Sequence, residues 1–171
     1  IKAHARTCCA VAFSPDGGRL ASSGGDAWAD DGRPGVVRLW DASTGRELPA
    51  PRGHPASVLG LAFSRDGRRL ATCGADKFVK VFEVPAKAGE APKFVKSFEG
   101  HTHHVMGVGW TPDGKKIASC GADNFVKVWD YEKGEKLRDM QGHQKQVTSL
   151  VFVGKTPQFV TGSGDASVRM W

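Results

Sequence analysis

Four sets of histidine, hydroxyl and carboxylate recur along this chain at one spacing. His4, His54, His101 and His143 are each followed 22 positions later by an aspartate: Asp26, Asp76, Asp123 and Asp165. Four residues before each aspartate stands Ser22, Thr72, Ser119 or Thr161. A hydroxyl, an imidazole and a carboxylate are the components of nucleophilic acyl transfer, in which the imidazole takes the hydroxyl proton and the carboxylate orients the ring. That chemistry needs an exposed nucleophile beside an oxyanion hole, and four copies in 171 residues would make little sense. An aromatic residue extends each set. Phe82, Trp129 and Trp171 lie six residues after their aspartates, whereas Trp40 lies fourteen after Asp26 because eight residues are inserted there. A repeat period of 42 to 50 residues points to an array or a propeller, and to histidines and aspartates with structural work.

The apolar pattern says what each unit must be. Cys9 to Phe13, Leu59 to Phe63, Met106 to Trp110 and Thr148 to Phe152 alternate large with small residues and carry no charge. Period-2 alternation without charge predicts strands buried on both faces. Turns follow at Ser14-Pro15-Asp16-Gly17, Ser64-Arg65-Asp66-Gly67 and Thr111-Pro112-Asp113-Gly114, where Asp bonds locally and Gly accepts positive φ. Second strands are expected from Leu20, Leu70, Ile117 and Phe159. Third strands end on the aromatic of each set, and looser fourth strands run over Lys93 to Phe98 and Lys136 to Met140. Sheets with two apolar faces cannot stand alone. Stacked radially, the large face of one meets the small face of the next.

These residues resemble the WD-repeat β-propeller family across the whole chain. The resemblance rests on Gly53-His54, Gly100-His101 and Gly142-His143, on the aspartate of each set, and on Trp40-Asp41 and Trp129-Asp130. The Ser-Pro-Asp-Gly turns look similar to those of bacterial members. It implies an all-β fold of four-stranded antiparallel blades, four per chain, the last without its outer strand. As one propeller unit over 1–171, the blades are expected at 1–41, 42–84, 85–130 and 131–171. It also implies that the aspartate accepts a hydrogen bond from the histidine, which bonds the Ser or Thr, which accepts from the indole. A buried indole, hydroxyl and imidazole each need a partner, and one chain of bonds satisfies all three. Phe82 has no N–H, so Thr72 lacks that donor.

Other chemistries are weaker. Gly154-Lys155-Thr156 invites a phosphate-loop reading, but Ser149 stands where the motif needs Gly, and Pro157 leads into a strand rather than a helix. No Cys/His pair has zinc-ligand spacing, and neither metal nor cofactor is expected. Cys8 and Cys9 are adjacent. Cys73 and Cys120 sit inside strands as buried thiols, which favours a reducing, cytoplasmic compartment. No apolar run approaches a membrane span. The net charge of +6 raises nucleic acid as a partner, but the basic residues are spread around the repeats and no aromatics interleave with them. Arg38, Lys80, Lys127 and Arg169 share one strand position and are expected to lay aliphatic stems on the sheet with their charges in water.

Function is therefore expected from surfaces, as a non-catalytic scaffold binding protein or peptide partners. The family's usual contact face implies Arg6, Lys77, His103, Asn124 and Lys145 as candidates. The eight-residue insertion adds Trp28, Asp30, Asp31 and Arg33, with Trp28 either a contact anchor or a cap on its own loop. Family rings usually hold six to eight blades. Four blades imply either a homodimer closing 4 + 4 into an eight-bladed ring or a segment of a longer ring, ahead of a closed four-bladed ring.

Overall fold

A computed structural model describes residues 3–5, 7–25, 34–87 and 89–171. Their regular elements are all strands. The first sheet contains β1 (Cys8–Phe13), β2 (Arg19–Gly24), β3 (Val36–Asp41) and β4 (Glu47–Leu48). The second contains β5 (Val58–Phe63), β6 (Arg69–Gly74), β7 (Val79–Glu83) and β8 (Lys93–Phe98). The third contains β9 (Val105–Trp110), β10 (Lys116–Gly121), β11 (Val126–Asp130) and β12 (Lys136–Met140). The fourth has three strands, β13 (Val147–Phe152), β14 (Phe159–Ser163) and β15 (Val168–Met170). Each sheet is an antiparallel meander in chain order, so the outermost strand of one blade leads into the histidine opening the next.

The tight turns between first and second strands repeat one device. Ser14 Oγ donates to Asp16 Oδ1 at 2.6 Å, the Gly18 N–H donates to the same oxygen, and Gly17 takes a φ of 71°. Ser64 with Asp66 and Thr111 with Asp113 reproduce it. The fourth turn lacks the aspartate, yet it still closes with Thr156 N–H donating to Val153 O at 3.1 Å, with Gly154 at a φ of 56°. It is a turn between strands, not a phosphate loop.

Large faces meet small ones at all three blade interfaces. Leu61 and Phe63 pack on Ala10, Ala12, Ala21 and Leu39, and Val108 and Trp110 on Ala62, Ala71 and Cys73. Leu150 and Phe152 pack on Ala118 and Cys120. The small residues are required: a Cβ at Gly109 would lie 3.0 Å from Leu150 Cδ2 and 3.1 Å from the Phe152 ring. Burying one large side chain in such a seam is worth roughly 1.5–3 kcal/mol.

The two terminal faces differ from the expectation of strands buried on both sides. Val11 and Phe13 in β1 are 64% and 63% exposed, against 8% for Leu61 and 6% for Trp110 in equivalent positions. At the other end Val151, Val168 and Met170 are exposed. These are the large face of the first blade and the small face of the last, which no neighbouring blade covers.

The shared cation position also departs from expectation. Arg38 is half-buried and pairs with Glu47, whereas Lys127 is buried and its Nζ donates to Asp139 Oδ1 at 2.8 Å. Lys80 is largely buried as well, with Nζ 2.9 Å from Asp76 Oδ2 and bonded to the Gly53 carbonyl. A lysine that gives up water in the sheet does so against a carboxylate within reach, as Lys80 and Lys127 do.

Candidate functional site: four hydrogen-bond networks and the loops above them

Each histidine lies just before a first strand and each hydroxyl lies in the middle of a second strand, so sheet pairing alone brings them together. His101 Nε2 is 2.8 Å from Ser119 Oγ, and His101 Nδ1 is 2.9 Å from Asp123 Oδ2. Trp129 Nε1 donates to the same Ser119 oxygen at 2.8 Å. His143 repeats this, with Nε2 2.9 Å from Thr161 Oγ1, Nδ1 2.9 Å from Asp165 Oδ2, and the Trp171 indole donating to Thr161 at 2.8 Å. His54 lies 2.7 Å from Thr72 Oγ1 and 2.9 Å from Asp76 Oδ2, with Phe82 supplying no donor. In the first blade His4 Nε2 is 2.9 Å from Ser22 Oγ, and Trp40 donates to that oxygen at 3.0 Å. Asp26 lies outside the described residues.

The chemistry fixes the protons. A carboxylate only accepts, so each Nδ1 facing one carries hydrogen, and the neutral ring's Nε2 accepts from the hydroxyl. The hydroxyl has its proton occupied and one lone pair filled by the indole N–H. In outline this is the arrangement of a hydrolytic triad. Ser119 is wholly buried, however, and the oxygen that would attack is capped by the indole. An enclosed hydroxyl with no room for substrate is not a nucleophile.

The aspartates hold more than the imidazoles. Asp123 also accepts from Thr102 N–H, and Asp165 from Gln144 N–H, so in these two blades the carboxylate ties down the loop after the histidine; Pro55 after His54 has no N–H to give. Burial pushes the Asp76 pKa up, but the His54 hydrogen bond and the Lys80 charge outweigh it and leave it below the ordinary value. Asp123 is lowered too, burial being overcome by His101 and two backbone N–H groups. Asp165 is lowered chiefly by the Ser167 hydroxyl, against burial and with help from Gln144 and His143. Burial raises the thiols of Cys73 and Cys120, the latter to about 12, so neither is a poised nucleophile. Among the described residues no three His, Cys, Asp or Glu side chains converge as metal ligands would.

Lys77 and Asn124 directly follow their network aspartates and take left-handed φ values of 72° and 69°. Asn124 and Lys145 line one shallow polar cleft of about 510 Å³, with Gln144 and Gln146. The His103 and His104 rings lie against each other with centroids 4.5 Å apart, tilted by 53°. Burial, then the nearby charges of His103 and Lys77, lower the His104 pKa, so these three share the neighbouring patch. Arg6, Trp28, Asp30, Asp31 and Arg33 lie outside the described residues. Sequence reasoning missed a seam between the second and third blades, where Tyr131 sits under the Arg69 guanidinium at 4.3 Å and against Trp110. The only signal was an aromatic two residues after Trp129.

Four meandering sheets stacked large face on small, three of them pinned by an imidazole–carboxylate link among the described residues, define a repeat-built β-propeller architecture. The family profile described as "WD domain, G-beta repeat" matches residues 1–41, 45–83, 92–130 and 134–171, and the chain belongs to that WD-repeat family. Over 42 residues it is 45% identical to "Pre-mRNA-processing factor 19" of Oryza sativa subsp. japonica, covering 25% of this chain and 8% of that protein. Over 43 residues it is 42% identical to "Protein ROOT INITIATION DEFECTIVE 3" of Arabidopsis thaliana, covering 25% and 10%. Two solved structures, "Structure of U3-55K" and "Crystal structure of RRP9 WD40 repeats", each superpose with a TM-score of 0.82 at 27% identity. Each is covered over 98% of this chain and about half of its own length (49% and 48%). The chain thus spans a small part of the curated relatives and about half of the solved ones. Propellers of this family generally bind protein partners rather than catalyse.

Proposed function

We propose that this chain is a non-catalytic scaffold whose loop face, carrying Lys77, His103, Asn124 and Lys145, takes a protein or peptide partner. One observation carries the reading: the hydroxyl, imidazole and carboxylate groups that could do chemistry are buried and bonded to one another, which leaves the loops as the available polar surface. The aspartates clamp those loops through backbone N–H groups, so the face is presented on a rigid base, which lowers the ordering cost of binding. A quantitative pull-down with the chain and a Lys77→Glu/Lys145→Glu variant tests it. Partners retained by the first and lost by the second support this face; equal retention removes it. In parallel, a fluorophosphonate reagent is expected to leave Ser22 and Ser119 unlabelled.

The same scaffold closes, in this proposal, by pairing two copies into an eight-bladed ring. The uncovered large face of blade 1 and small face of blade 4 are the two halves of the interface made three times within the chain, and the arc matches about half of each solved relative. Light scattering is expected to give twice 18.3 kDa, with Phe13→Asp returning a single chain. A strict monomer rules the dimer out. The net charge of +6 and the name of the pre-mRNA-processing relative favour a second reading, contact with RNA. Loss of retention on an anionic matrix at raised salt, with competition by oligonucleotides, is its signature.

A further inference from the structure

The second and third blades differ at one outer-strand position. In the third, Lys127 stands opposite Asp139 and its Nζ donates to Asp139 Oδ1 at 2.8 Å, while Lys136 Nζ donates to Oδ2 at 2.7 Å. In the second, Lys80 stands opposite Ser97. The inner registers match, since Lys80 pairs with Thr72 as Lys127 pairs with Ser119. Ser97 thus occupies the place of Asp139, in front of the equivalent lysine, without the charge. Lacking that anion, Lys80 Nζ lies 2.9 Å from Asp76 Oδ2 and also donates to the Gly53 carbonyl.

Ser97 is also open to a modifying enzyme. It is exposed on β8, the outermost strand of its sheet, and no group among the described residues engages its hydroxyl. Within four residues on either side stand Lys93 and Lys96 against one acid, Glu99. Lys96 Nζ is bound to the Tyr131 and Glu132 carbonyls of the next blade, so Lys80 is the cation set to meet an anion at Ser97.

From this we infer that Ser97 is a phosphorylation site, and that its phosphate takes the part Asp139 plays in the third blade, drawing Lys80 away from Asp76 and the Gly53 carbonyl. In the transfer, Ser97 Oγ attacks the γ-phosphorus of ATP held by a protein kinase that selects basic flanks. The Oγ–P bond forms as the bond from that phosphorus to the β–γ bridging oxygen breaks. ADP leaves with the electron pair, and the kinase's base takes the hydroxyl proton. The product carries roughly −1.5 to −2 charge at neutral pH and three strong acceptor oxygens. An ammonium bonds such an anion more strongly than it bonds a neutral carbonyl. Reach is sufficient. Directly opposed residues in an antiparallel pair hold their Cβ atoms about 4.5–5.5 Å apart, and a phosphoserine oxygen lies one bond further from Cβ than a carboxylate oxygen of aspartate. Asp76 keeps His54 when Lys80 leaves, whereas Gly53 loses its ammonium donor. The site lies on β8 and does not rest on the partner-binding reading of the loop face.

The test incubates the full chain with a basophilic serine/threonine kinase and magnesium ATP, and maps the product by tandem mass spectrometry. The expected result is phosphate on Ser97 and none on Ser43, which is also exposed but donates its hydroxyl proton to Asp41. A second sample carries phosphoserine at position 97 by genetic encoding, with ¹⁵N-labelled lysine and ¹³C-labelled glycine. Its Lys80 Nζ and Gly53 carbonyl resonances should shift from those of the unmodified chain. Ser97→Asp should shift both in the same direction, and Lys80→Met should abolish the Gly53 response; a dispersed amide spectrum verifies that each chain is folded. The inference is overturned if Ser97 stays unmodified, or if Ser43 is modified as fast, because exposure alone would then be at work. Unmoved Lys80 and Gly53 resonances in the encoded phosphoserine chain would overturn it equally.

Discussion

In the third blade one serine hydroxyl donates to an imidazole and accepts from an indole, and the buried lysine turns away to Asp139 on the outer strand. In the second blade the corresponding threonine has the imidazole but no indole, and the lysine turns inward to the network aspartate and the Gly53 carbonyl. The backbones and registers match, so the difference isolates what each contact contributes. The imidazole–carboxylate link is common to both blades. The indole N–H and the ammonium charge are not, and the second blade forms with a phenyl ring in place of the first. The link is therefore the part the two blades share, and the aromatic in both is a wall of the core.

That comparison can be broken at its strongest point first. Asp123→Ala leaves a buried imidazole N–H and two backbone N–H groups without an acceptor, and should cost about 3 kcal/mol of unfolding free energy by urea titration. Trp129→Phe converts the third blade into the second's arrangement. It should cost roughly 1.5 kcal/mol, because the Ser119 oxygen loses its indole while the ring volume is largely kept. The reverse change, Phe82→Trp, should be neutral to stabilising by about 1 kcal/mol if Thr72 gains the bond; a clear loss in denaturation midpoint would contradict the shared register.

The smallest effect concerns pH. Asp76 is held below its ordinary pKa by His54 and Lys80 against the opposing effect of burial. A carboxylate lowered on folding stabilises fully above its unfolded value of 3.8, and that contribution is lost as pH falls through the folded value. Removing the ammonium with Lys80→Met should move the acid limb of stability to higher pH. The plateau near neutrality should drop by at most ~1 kcal/mol. The same change at Lys127 should leave the Asp123 limb in place, since Lys127 pairs with Asp139.

The histidine, hydroxyl and aspartate sets were readable because a fixed spacing within one blade becomes a fixed geometry once the strands pair. The direction taken by Lys80 and Lys127 was not. Both sit two residues before the aromatic, and only the neighbouring outer strand decides whether a carboxylate such as Asp139 is within reach. The loss of cover over Val11, Phe13 and Val168 was legible only as two strand-bearing ends, because β1 has the same apolar pattern as the fully packed β5 and β9. The Tyr131 seam was hidden for a third reason. A residue leaving a strand gives no sign of which blade it will lean on, and the approach of Arg69 to Tyr131 emerges only from the stacked sheets.

The central claim, that each link is a static buried chain with a fixed proton order rather than a working triad, is tested most directly by long-range ¹H–¹⁵N correlation spectra of the imidazoles. The account predicts that His54, His101 and His143 each carry hydrogen on Nδ1 and none on Nε2, with the Trp129 and Trp171 indole protons protected from exchange. Rings that average between tautomers, or carry hydrogen on Nε2, would contradict it.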